Sequence, residues 1–316
     1  RLPTLGAGDV AAAEASGSDL WITADGASYP DGFRPRWLGA HVALADAGDA
    51  ELGVFRVLEI DAAGRARLEG AAAHAATASG FAGRYRFDDV TLLNNASLDA
   101  DDPVSSVNLE LAGPAVFDGE ITVETLHLRS GAVITPASGQ ELRITATQSI
   151  QVDAGALVDV SGRGYGGSPA VGENGLAPAG VEPAGQKVGG AHGGIGRSGD
   201  GHSPRSEVYD SVYFPRLAGS GGGWHSSHLG SAGGGVIVLE APTVVLDGEL
   251  RARGINVSQD RGTGAGGTVV VQAGTLSGTG SINVSGGDSS FYDAGYGGGG
   301  RVAVYASTPP AGTRRR

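Results

Sequence analysis

A phrase in this chain returns at a fixed distance. Gly234-Gly235-Val236-Ile237-Val238-Leu239-Glu240-Ala241 comes back as Gly266-Gly267-Thr268-Val269-Val270-Val271-Gln272-Ala273. It comes back again as Gly299-Gly300-Arg301-Val302-Ala303-Val304-Tyr305-Ala306. The closing alanines are 32 and then 33 residues apart, and Leu142-Arg143-Ile144-Thr145-Ala146 is an earlier, weaker copy. A period of this length means one structural unit stacked on itself.

The second half of the period aligns as well. Val158-Asp159-Val160-Ser161-Gly162, Leu250-Arg251-Ala252-Arg253-Gly254 and Ile282-Asn283-Val284-Ser285-Gly286 each read apolar, polar, apolar, polar, Gly. Alternation with period two buries one face of a strand and wets the other. Each unit therefore holds at least two short strands. The expected fold class is all-β: a right-handed parallel β-helix, in which each rung pairs with the next at roughly 4.8 Å. An antiparallel sandwich is the competing arrangement, since it also turns every 8–12 residues or so. The in-register recurrence favours the solenoid.

Counting periods locates an insertion at about 163–233. The stretch is dense in Gly, Ser and Pro and has no strand or helix period. It carries Tyr209, Tyr213, Phe214 and Trp224, with His192, His202, His225 and His228. It reads as a long Gly-rich loop on one side of the solenoid, and such loops commonly form the binding face. Sugars stack their apolar faces on aromatic rings, so those four aromatics are the candidate ligand-binding residues. The competing expectation is that Tyr213, Phe214 and Leu217 pin the loop to the solenoid wall.

Residues 1–85 differ in pattern. Residues 37–44 alternate, and 55–68 read as a hairpin turning at Asp61-Ala62-Ala63-Gly64. Residues 9–16 are compatible with a short helix. A small SH3-like β-barrel capping the solenoid is expected here, followed by the β-helix over 86–307 and a linker or tail over 308–316.

The chemistry in the sequence is sparse. Asp99, Asp101 and Asp102 could supply oxygen ligands to Ca²⁺. Their spacing matches neither the EF-hand nor the GGxGxDxUx calcium repeat, and an ordinary turn accounts for them too. His225 and His228 have the spacing of half a zinc site without a second pair. There is no Cys, and the Gly runs lack a phosphate-loop pattern, with Lys187 the one lysine. Glycine there either turns the chain tightly or lets neighbouring backbones approach. A net charge of −12 disfavours nucleic acid. No apolar run reaches the ~18 residues of a spanning helix. No cofactor other than Ca²⁺ is implied. The chain has no Met, which reads as a segment of something longer. A polysaccharide lyase or hydrolase would need paired carboxylates, or a carboxylate cluster with a cationic base, on adjacent rungs. No such ladder is evident, so the reading leans away from an enzyme.

Several stretches are similar to a Gly-rich β-helix region of very large secreted or surface bacterial proteins, including adhesin-like ones. They are RFDDVTLLNNASL (86–98), VDVSGRGYGG (158–167), GGAHGGIG (189–196), GSGGG (219–223), LDGELRARG (246–254), GTLSGTGSINVSGG (274–287) and GGGGRVAVYAS (297–307). The resemblance covers about two thirds of the chain. It implies a secreted or cell-surface scaffold or adhesive module and offers no catalytic motif. Expected partners are neighbouring modules, further copies of the chain, or a glycan or surface protein. A carbohydrate-active β-helix enzyme and a self-assembling filament subunit are the alternatives.

Overall fold

The structure is a computed structural model that describes residues 5–92, 104–117, 120–136, 139–198 and 206–308. Among the described residues there are strands and two short 3-10 turns but no α-helix. The chain divides into two compact units. One takes the described residues up to Asp88 and 104–107; the other takes 89–92 and the described residues from Asn108 on.

The first unit is antiparallel. Its strands are β1 (Ala7–Ser16), β2 (Asp19–Ala24), β3 (His41–Ala45), β4 (Glu51–Ile60), β5 (Ala66–Leu68) and β6 (Gly80–Leu92). They pair in the order β1-β2-β5-β4-β3-β6, and β6 pairs back onto β1 through Ala7↔Ala82. The ring of pairings is closed, which leaves no free edge. Phe33, Trp37, Leu20, Ile22 and Leu44 fill it. The hairpin turns where its sequence says. The Asp61 carboxylate accepts the amides of Ala63 and Arg65 at 2.9 Å each, and Gly64 supplies φ +74°. Residues 9–16 are not helical but belong to β1. An eight-residue Ala-rich helix is marginal alone, and cross-strand pairing with β2 outweighs its propensity.

The second unit is built from parallel ladders. After β7 (Val104–Leu111) the chain alternates long and short strands. The long ones are β9 (Glu120–Leu128), β11 (Glu141–Val152), β13 (Val236–Leu246), β15 (Thr268–Ser277) and β17 (Arg301–Thr308). The short ones are β8 (Pro114–Phe117), β10 (Val133–Pro136), β12 (Leu157–Asp159), β14 (Glu249–Arg251) and β16 (Ser281–Asn283). The long strands form one parallel ladder and the short strands another, each in chain order. Every period thus supplies one strand to each ladder. The register is the one the repeat implies: Ile237↔Val269↔Val302, Leu239↔Val271↔Val304 and Ala241↔Ala273↔Ala306. Ile237, Leu239, Val269 and Val271 are wholly buried in the core between the ladders. Val302 and Val304 are in register but 44% exposed. This parallel all-β arrangement is compatible with a β-solenoid.

The inserted segment differs from a projecting loop. Its described residues contain no strand, yet their backbone is woven into a hydrogen-bonded array with the Gly runs of the repeat. Along 219–223 successive amides reach three directions in turn. Gly219 and Gly222 donate to Gly234 and Ser231, Ser220 and Gly223 to Ala191 and Val188, and Gly221 to Leu176, at 2.9–3.3 Å. Along 262–267 the rule repeats. Gly262 and Ala265 donate to Gly223 and Ser220, while Thr263 and Gly266 donate to Gly295 and Gly298, at 2.8–2.9 Å. A recurrence of three, with partners always on other segments, is the signature of polyproline-II backbone with three residues per turn. Such segments approach closely only where side chains are missing. A Cβ on Gly221 would lie 1.8 Å from the Gly166 oxygen, and one on Gly223 1.7 Å from that of Gly185.

Candidate functional site

One stretch of the insertion leaves the array to form a fixed loop over the long ladder. It begins at Tyr209, which is buried. The Tyr209 ring stacks on His192 at 4.9 Å, its hydroxyl donates to the Ala218 carbonyl at 2.5 Å, and its own carbonyl accepts Arg301 Nε and Nη2 at 3.0 and 2.7 Å. Burial pushes the phenol pKa up. His192 is fully buried. Its Nδ1 meets the Gly266 carbonyl at 2.9 Å and its Nε2 meets Asp210 Oδ2 at 3.4 Å. With a carbonyl at hydrogen-bond distance, Nδ1 is assigned as the protonated nitrogen. Desolvation lowers the imidazole pKa, against the pull of Gly266 and Asp210.

Asp210 organises the loop that runs on to Leu217. Its φ is +70°, a conformation Asp tolerates better than most residues. Oδ1 accepts the Ser211 amide at 2.7 Å, and Oδ2 accepts those of Arg216 and Leu217 at 2.8 and 2.9 Å. Burial works against the charge, but the amides of Leu217, Ser211 and Arg216 with His192 outweigh it, and the carboxyl stays below its ordinary pKa. Ser211 Oγ then accepts the amides of Tyr213 and Phe214 at 3.2 and 3.0 Å. Five amides within residues 211–217 are therefore held by two side chains.

The ladder holds the loop from beneath. Thr268 Oγ1 donates to the Leu217 carbonyl at 2.7 Å, and the Tyr305 hydroxyl donates to the Tyr213 carbonyl. The Phe214 ring lies over Tyr305 at 5.9 Å and 18° between planes. Val236, Val238, Val270 and Ala303, on the face turned away from the main core, are buried with Ala218. This is why positions that alternation marks as outward are not wet: the insertion covers them.

The result is a rigid display. Tyr213 is 79% exposed and Phe214 65% exposed on a backbone that is pinned at both ends. A groove runs between Phe214 and Arg216 on the loop and Arg143, Gln272 and Tyr305 on the ladder, with Glu141 at its side. Arg143 pairs with Glu141 at 2.8 Å.

Of the four aromatics the sequence singles out, Phe214 lines this groove, and Tyr213, beside it in the chain, is exposed on the same loop. Tyr209 sits beneath them as packing. Trp224 belongs to a different turn and is half-buried. Its carbonyl accepts the Lys187 amide at 2.9 Å, and its neighbours His225 and His228 exchange backbone hydrogen bonds. Lys187 binds Asp260 at 2.7 Å, and His225 Nδ1 faces the same carboxylate at 3.2 Å. Those two histidines are thus engaged in a loop contact. Among the described residues no group of three His, Asp or Glu converges on a common point. Asp99, Asp101 and Asp102 lie outside the described residues.

Sequence reasoning missed Asp210 and His192 as organisers and Arg216 as a groove residue. The available signal was Asp210-Ser211, the short acceptor pair that caps free amides in turns. No family model, no curated protein and no solved structure matches this chain.

Proposed function

We propose that this chain is a structural and adhesive module of a secreted or cell-surface protein, and that the Asp210 loop presents Tyr213 and Phe214 to a glycan. The observation that carries the reading is the Phe214–Tyr305 pair. Two nearly parallel rings, one 65% exposed, border a groove lined by Arg143, Gln272 and Glu141. A flat apolar platform beside hydrogen-bonding side chains is what a pyranose needs, and a backbone fixed beforehand lowers the entropic cost of binding. The parallel unit is read as a β-helix, right-handed by the general rule for parallel crossovers, and the closed antiparallel unit as an SH3-like barrel. The resemblance to Gly-rich regions of large adhesin-like proteins supports the same reading.

The test is a glycan array with the intact chain and with Phe214→Ala. Binding that is present in the first and lost in the second, at an unchanged melting temperature, supports the reading. An empty array for the intact chain counts against it. The enzyme alternative has less support, because the groove holds one carboxylate, Glu141, already paired with Arg143.

A second reading concerns association. Val302 and Val304 continue columns that are wholly buried one rung earlier, yet are 44% exposed on β17. A further rung laid on β17, from a neighbouring module or another copy, would bury them. Concentration-dependent light scattering that disappears with Val302→Lys tests it.

A further inference from the structure

We infer that the groove selects anionic glycans, those carrying a carboxylate or a sulfate, and that Arg216 is the residue that recognises the charge. This rests on the glycan reading above and narrows its ligand class.

The chain as a whole has a net charge of −12, so most of its surface repels a polyanion. The groove does not follow the rest of the surface. Its ionisable lining is Arg143, Arg216 and Glu141, a local excess of one positive charge. Arg143 and Glu141 neutralise each other at 2.8 Å, and both side chains are about 40% exposed. Arg216 is different. Its backbone amide is held by Asp210, but its guanidinium has no hydrogen-bond or ion-pair partner among the described residues. It is an exposed cation on a fixed backbone, with nothing among those residues to neutralise it.

The local geometry gives that cation a role. Phe214, Pro215 and Arg216 all line the groove, and Pro215 is buried there. A sugar ring lying on Phe214 therefore has a planar, five-donor cation beside it. A guanidinium binds a carboxylate or sulfate through two parallel hydrogen bonds, and such charge-assisted contacts are roughly twice as strong as neutral ones. Gln272, exposed on the facing wall, is left to serve hydroxyls. A neutral glycan would use the platform and leave the cation idle.

The experiment compares three soluble polymers of equal length by calorimetry in physiological salt: a neutral glucan, its C6-oxidised polyglucuronate and a sulfated glucan. At least one of the charged polymers should bind the intact chain about tenfold more tightly than the neutral one, the size of one net charge-assisted contact. The tighter of the two identifies carboxylate or sulfate as the preferred group. Arg216→Gln should bring the charged and neutral affinities within about twofold, with its melting temperature as the check on folding. Phe214→Ala should weaken all three. Equal affinities for the three polymers would overturn the anionic preference while leaving the glycan reading intact. So would a charged preference that survives Arg216→Gln. No binding to any polymer would overturn both.

Discussion

The carboxylate of Asp210 accepts the amide of Leu217 at 2.9 Å, and that contact closes the loop carrying the exposed rings of Tyr213 and Phe214. The same oxygen also accepts from Arg216 at 2.8 Å and faces His192 at 3.4 Å. One buried side chain thus connects the glycine array, through His192, to the display loop. The loop's conformation is held from inside the protein by these hydrogen bonds.

Asp210→Asn tests that connection. Asn tolerates the positive φ and keeps one acceptor, but an NH₂ replaces an oxygen that two amides need. The expected cost is about 1–3 kcal/mol, the usual penalty for buried groups left unpaired. Hydrogen exchange should accelerate at the Arg216 and Leu217 amides, and glycan binding should weaken. Unchanged exchange at those two amides would show that the ladder contacts alone hold the loop.

The glycine array makes a sharper comparison. Gly221→Ala places a Cβ 1.8 Å from a backbone oxygen, and backbones cannot rotate aside as side chains can. The segments would have to separate and break several hydrogen bonds, at a cost of about 3 kcal/mol or more. Gly299→Ala meets nothing within 4 Å. Its melting temperature should match that of the parent, while Gly221→Ala should melt many degrees lower. Equal behaviour of the two variants would mean that the array is not tightly packed.

How much of this was legible in the sequence depends on which forces set each part. The ladders were, because equivalent apolar positions recurring every 32 or 33 residues favour stacking, and Ile237, Val269 and Val302 do pair in register. The hairpin at Asp61–Gly64 was, because its turn chemistry is local. The array was half legible. Glycine signals that backbones approach, but the periodicity of polyproline-II bonding lies in donor directions and leaves no apolar pattern to read. Residues 9–16 misled because helix propensity is local while the pairing that overrides it is not. Tyr209 and Phe214 are indistinguishable in composition. Only the fold shows that one lies on a buried histidine and the other on an exposed tyrosine.

The buried imidazole predicts a pH dependence. Burial lowers the pKa of His192 in the folded chain below the ordinary 6.5. As pH falls below 6.5, the unfolded chain takes up this proton first, so the folded state loses stability. The stability is fully present above 6.5 and declines on acidification toward the folded-state pKa. Asp210 is the anion facing the ring, Arg301 is a nearby cation, and Tyr209 is the stacked neighbour. Denaturant midpoints should therefore fall as the pH drops below 6.5, and His192→Gln should flatten that part of the profile. A profile that is flat in the parent, or unaltered in the variant, would contradict the assignment.

The last prediction separates display from support within a single hexapeptide. Tyr209 is 8% exposed; its hydroxyl, carbonyl and ring all have partners. Tyr209→Ala removes the ring against His192 and leaves a cavity, and large-to-small aromatic changes in a core cost about 3–5 kcal/mol. Tyr213, 79% exposed, contributes to the scaffold through its backbone, the amide to Ser211 and the carbonyl to Tyr305, which alanine supplies equally. Tyr213→Ala should leave the melting temperature within about a degree of the parent, in line with the ±0.5 kcal/mol usual for surface changes. Glycan affinity should report the reverse order when measured below the transition. Tyr213→Ala and Phe214→Ala should lose affinity without losing stability, while Tyr209→Phe, which keeps the ring and drops the bond to Ala218, should lose stability and retain affinity. If Tyr209→Phe abolishes binding while melting like the parent, the phenol reaches the ligand, and its burial here is not the state that binds.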